Sequence, residues 1–160
     1  MKKAILNILL IMVLFSCNAK YPLDLGKGYK IDYDANSYFV IINSQDIGVI
    51  DAHVIDFSID STYIIVKQKP VELILKDTYN NPEWNLKKRD KLFEKSTFQQ
   101  YWIINKKEKG QYSLDTLAQV AKYSNVYGPF SKQEYLQKRD ELGVPPELKL
   151  KEDYSASPSM

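Results

Sequence analysis

His53 is the only histidine in this 160-residue chain, and it stands close to two aspartates, Asp51 and Asp56. Residues two apart on a strand share a face, so an Asp51–His53 pair could orient an imidazole for proton transfer. A Ser-His-Asp or Cys-His device would have to rest on this one ring. The plainer reading is a sheet histidine with no catalytic role. It is favoured because general acid–base work needs several positioned groups, and this loose cluster is the only one. Zinc asks for three or four Cys, His or carboxylate ligands, and one histidine with one cysteine does not supply them. Asp32, Asp34 and Asn36 have the spacing of a calcium loop, but Ser37 stands where the sharp turn wants glycine and Asn43 where a bidentate glutamate belongs. These residues read better as a hairpin turn. Gly26-Lys27-Gly28 lacks the downstream Gly-Lys-Ser/Thr of a phosphate loop. No metal and no cofactor is expected, and the chain is read as a non-enzyme.

The 12 tyrosines offer a different chemistry. Tyr101, Trp102, Tyr123 and Tyr127, with Phe130, could line a binding groove, because aromatic rings combine large contact area with a polar handle. They could equally fill the core and edge of a sheet. Lys87, Lys88, Arg89 and Lys91 make a local basic patch interleaved with Glu83, Asp90 and Glu94, which reads as a solvated helix face.

Cys17 is the only cysteine, so no intramolecular disulfide can form. It follows a positive start (Met1, Lys2, Lys3) and an apolar run from Ala4 to Phe15 broken by Asn7. As a helix this run would rise about 18 Å, short of the roughly 30 Å hydrocarbon core. The length suits a signal peptide. Leu14-Phe15-Ser16-Cys17 resembles the bacterial lipobox, with Phe15 bulkier than usual. That resemblance implies cleavage after Ser16 and acyl chains on Cys17 that hold the protein on a membrane. No other segment is apolar enough to span. Without Lys2 and Lys3 the basic count falls from 22 to 20 and equals the 20 acids, so nothing in this balance points to nucleic acid or an anionic surface as a partner.

The elements that must position these residues read as α+β. The expected fold is an antiparallel β-meander of about five to seven strands with a connecting surface helix and a C-terminal helix. Residues 1–16 are the signal peptide, 17–27 a lipidated tether, 28–150 a single globular domain and 151–160 a disordered tail. Period-two runs over 29–33, 38–42, 47–50, 54–59 and 63–67 are bounded by Asn, Asp and Ser turns. Val71 to Leu75 reads as an edge strand after Pro70. Asn81-Pro82-Glu83 reads as the start of a helix reaching about Lys95. Phe98 to Asn105 returns to strand. Leu114, Leu117, Ala118 and Ala121 fit a short helix. Ser131 with Glu134 forms a capping box, Phe130 and Tyr135 a hydrophobic staple, and Gly143 before Pro145-Pro146 a helix stop.

The stretch from His53 to Ile65, the strand Tyr101 to Lys107 and the turn Tyr127 to Ser131 are similar to a group of short bacterial lipoproteins known only by a domain of unknown function. The resemblance spans roughly 28–150 and implies no activity and no site residues. The lipobox looks like that of Bacteroidota, where acids after the cysteine accompany surface export. Asn18-Ala19-Lys20-Tyr21 has none, which implies the outer membrane facing the periplasm. The expected role is a membrane-anchored binding or structural module with an envelope protein as partner. The alternatives are an immunity or inhibitor lipoprotein and, less favoured, a hydrolase centred on His53.

Overall fold

The computed structural model describes residues 22–35, 37–115 and 120–151. Cys17, the expected signal peptide and residues 152–160 lie outside them. Among the described residues the class is α+β and every strand pairing is antiparallel. The first sheet is a meander of β1 (Leu23–Gly26), β2 (Tyr29–Tyr33), β3 (Phe39–Ile42) and β4 (Gly48–Ile50). β1 lies within the stretch expected to be tether, so the folded chain reaches back to Leu23, which pairs with Ile31. The second sheet has the order β10-β7-β6-β5, built from β5 (Val54–Ile59), β6 (Tyr63–Gln68), β7 (Gln100–Asn105) and β10 (Val126–Phe130). A third pair, β8 (Tyr112–Asp115) with β9 (Val120–Tyr123), forms a hairpin. Among the described residues the strands number ten, more than the five to seven expected, and they divide between three sheets.

The division follows from which faces are apolar. Leu25, Ile31, Ile41 and Ile50 of the first sheet meet Val54, Ile64, Val66 and Ile104 of the second in one buried cluster. Tyr63, Ile65, Tyr101 and Ile103 project from the opposite face of the second sheet. There they meet Tyr135, Val144, Leu148 and Leu150 from the C-terminal helix and the segment after it. β6 and β7 are thus covered on both faces, which is why they read as continuous apolar runs, while β2 and β5 alternate.

Three helical segments differ in how well local chemistry specifies them. Val71–Leu75, expected as a strand, is instead a short helix, α1, followed by a 3-10 turn over Lys76–Thr78. Pro70 precedes it without a ladder bond to give, and Leu75 is buried. α2 spans Leu86–Lys95 and begins later than expected. Asn85, not Asn81, caps it by accepting from the Lys88 N–H at 3.0 Å, and Asn81 stabilises a separate turn by accepting from the Glu83 N–H at 2.9 Å. α3 spans Lys132–Leu142 as expected: the Ser131 hydroxyl accepts from the Glu134 N–H, and the Glu134 carboxylate accepts from the Ser131 N–H at 2.8 Å. Gly143 closes it at φ 64°, in the left-handed region that favours glycine. The helix expected between 111 and 123 is the β8–β9 hairpin, with the Tyr112 and Tyr123 rings in edge contact at 5.6 Å. The turn between β2 and β3 is closed by Asp34, which accepts from the Tyr38 N–H at 2.8 Å; no group of metal-ligating side chains stands out among the described residues.

Candidate functional site

The His53 ring sits where the first sheet, the second sheet and α2 converge. Tyr38, at the entry to β3, stacks on it at 4.8 Å, and Phe93 of α2 stacks at 5.9 Å. Its backbone is paired with Lys69 in both directions. Gln68 ties the same corner together: its side chain accepts from the Trp102 indole at 2.8 Å and donates to the Asp51 carbonyl at 2.8 Å. The imidazole Nδ1 is buried with no hydrogen-bond partner among the described residues. Burial holds the His53 pKa below its ordinary value, the Lys69 charge lowers it further, and Asp34 opposes both. The aspartates beside it in sequence are placed otherwise. Asp56 accepts from the N–H groups of Phe57 at 3.0 Å and Lys151 at 2.7 Å, and what Asp51 offers this corner is its backbone carbonyl. A histidine held between carbon rings has the surroundings of a packing residue, and a general base needs a proton donor and an orienting acceptor around it.

The aromatic residues read from sequence as a groove are dispersed. Tyr101 is 4% exposed and stacks on Tyr135 at 5.0 Å beneath α3. Trp102 points the other way and packs against the inter-sheet cluster. Tyr127 lies on the helix side with Tyr101, and its hydroxyl donates to Glu108 at 2.7 Å; that bond pushes its pKa up to about 12. Tyr123 belongs to the hairpin and accepts from the Asn43 amide at 2.9 Å. Alternation along β7 puts neighbouring Tyr101 and Trp102 on opposite faces, so they cannot share a groove.

A different concavity does exist. An open groove of about 990 Å3 lies between α1, α2, the approach to β7 and the start of α3. Leu73 and Phe98, 49% and 50% exposed, stand beside Ile74 and Leu92, with Tyr101 also lining it. Three lysines line it, Lys76, Lys95 and Lys132, and no carboxylate does. A smaller hollow of about 470 Å3 lies along α2, lined by Glu83, Trp84, Lys88, Lys91, Leu92 and Lys95. The basic patch read from sequence, Lys87, Lys88, Arg89 and Lys91, does not line this groove, and the groove itself is not legible in the sequence because its wall includes α1, which reads as a strand. The available signal was Leu73 and Phe98, two large apolar residues flanking a basic helix.

Residues 26–154 match the profile of a family described as a protein of unknown function, DUF3997. The chain belongs to that family. No curated protein and no solved structure matches it. Membership in DUF3997 assigns no chemistry, so the reading of the site rests on its residues.

Proposed function

We propose that this DUF3997 chain is a Bacteroidota-type cell-envelope lipoprotein, held by acyl chains on Cys17 at the outer membrane facing the periplasm. Its domain is a binding module without catalytic activity of its own. The groove between α1, α2 and β7 is the observation that carries the binding role. Contiguous exposed apolar surface is costly to leave in water and marks interaction sites. Leu73 and Phe98 supply that surface, and Lys76 and Lys132 set its sign. The fitting partner is an apolar, acidic segment of another envelope protein. The packing of His53 between Tyr38 and Phe93 supports a non-enzymatic reading.

Two experiments test the parts separately. Cys17→Ala should leave an uncleaved precursor or release the domain from membranes. A mature-size variant still in the membrane fraction would overturn the anchor. A photo-crosslinking residue at Phe98 should trap a partner that one at Ile59, on exposed β5, does not. The adduct should be lost with Leu73→Glu while membrane fractionation is unchanged. Adducts of equal yield from both positions, or none from 98, would overturn the groove.

A further inference from the structure

The fold fixes which end of the domain the tether leaves from. Leu23 of β1 pairs with Ile31, and Gly26 with Tyr29, so the chain enters the first sheet from the side of the β2–β3 turn and runs away from it. That turn delivers Tyr38, whose ring lies 6.1 Å from Phe93 of α2. The opposite end is marked by Lys106, just past β7, whose ammonium donates to the Leu25 carbonyl at 2.8 Å. β1 therefore points away from α2, and its first residue, Leu23, is on the α2 side. From Cys17 to Leu23 the chain spans at most about 21 Å even when fully extended.

The surface at that end has a consistent character. Phe93 turns inward to His53, and Arg89 donates to the Thr78 carbonyl at 2.9 Å. At 100° per residue, Lys88, Lys91 and Lys95 fall on the other side of α2, away from Phe93, and Trp84 from the preceding turn joins them. All three lysines are exposed and Trp84 is half-buried. Asp90 and Glu94, four residues apart, share one flank of the helix with Glu94 bordering Lys91, and Glu83 is the acid that lines the hollow with the stripe. Lysines with long apolar stems and a tryptophan are the side chains that suit the boundary between anionic headgroups and water.

We propose that the Trp84-Lys88-Lys91-Lys95 face of α2 lies against the anionic bilayer to which the chain is anchored, so that the domain stands with α2 down and the β7–β8 loop outward. This rests on the proposed lipidation of Cys17. The anchor supplies proximity, and the lysine stripe supplies orientation, at about fivefold in population per lysine on an anionic surface.

The test uses the full-length lipidated protein in vesicles containing phosphatidylglycerol. Because Cys17 would be acylated, Glu83→Cys, beside the stripe, or Lys107→Cys adds a single free thiol for a fluorescent label. Lipid-borne quencher should reduce the signal at 83 several-fold more than at 107. The difference should collapse in Lys91→Glu/Lys95→Glu protein and in vesicles of phosphatidylcholine alone. Equal quenching at both positions, or stronger quenching at 107, would overturn the orientation while leaving the anchor intact. Mass spectrometry of the same preparation reads the anchor: an unmodified Cys17 would overturn both proposals, and so the two failures are distinguishable.

Discussion

His53 and Lys106 show two opposite ways of burying a cationic side chain. His53 avoids carrying charge. Its folded pKa lies below the ordinary histidine value, so between that folded value and about 6.5 the unfolded chain binds more protons than the folded one. Stability is complete above about pH 6.5 and falls as pH drops through that window. His53→Phe keeps a ring between Tyr38 and Phe93 and removes an unpaired buried nitrogen, a group whose burial costs about 1–3 kcal/mol. The variant should be as stable as the parent at pH 7.5 or more so, and its urea midpoint should vary less between pH 5 and 7.5. Lys106 is 9% exposed and satisfied instead: it donates to the Leu25 carbonyl at 2.8 Å and the Asp60 carbonyl at 2.6 Å. Burial still lowers its pKa, against the pull of Asp60 and Asp24. Lys106→Met strands both carbonyls and should cost about 2–4 kcal/mol, measured by denaturant titration. Neither environment was legible in the sequence. His53 could be picked out because it is the only histidine, but its ring neighbours come from a distant turn and a distant helix, and only the folded chain brings them together.

Legibility of the elements depended on whether the deciding interaction is local. The α3 helix was readable to within a residue because its capping box and left-handed glycine use neighbours in sequence. Ser131→Ala should therefore act locally, lowering stability by about 1 kcal/mol with the fold retained by circular dichroism. β2 and β5 were readable because solvent on one face imposes a period of two. α1 was misread because five residues are too few for a period to separate strand from helix. The β8–β9 hairpin was misread because Leu114, Leu117, Ala118 and Ala121 have helical spacing, while the cross-strand pairing that decides the matter, Tyr112 with Tyr123, is invisible to spacing. Asn81 and Asn85 both carry the chemistry of a cap, and each caps something: Asn81, read as the start of α2, closes a turn, and Asn85 caps the helix. The groove inherited the error in α1, whose Leu73 and Ile74 form part of its wall.

At the scale of the molecule, the first sheet, the second sheet and α3 with its following segment form three layers around β6 and β7. The α+β antiparallel class was legible from the strand runs. The split into separate sheets was not, because β4 and β5 follow one another in sequence yet belong to different layers. The outermost layer is the most dispensable in length and the least in effect. A chain ending at Gly143 would lack Val144, Leu148 and Leu150, all buried against Tyr63, Ile65, Tyr101 and Ile103. That truncation should bind a hydrophobic dye strongly and lose its cooperative thermal transition. The same arrangement sets an order in time. Translation delivers the strands first and their outer cover last, so the Tyr63, Ile65, Tyr101 and Ile103 face lacks its full cover of Tyr135, Val144, Leu148 and Leu150 until the last of these has left the ribosome. For a chain proposed to cross a membrane before it folds, this keeps the nascent protein from closing early, and it leaves that bare sheet face as the surface a holding chaperone would meet.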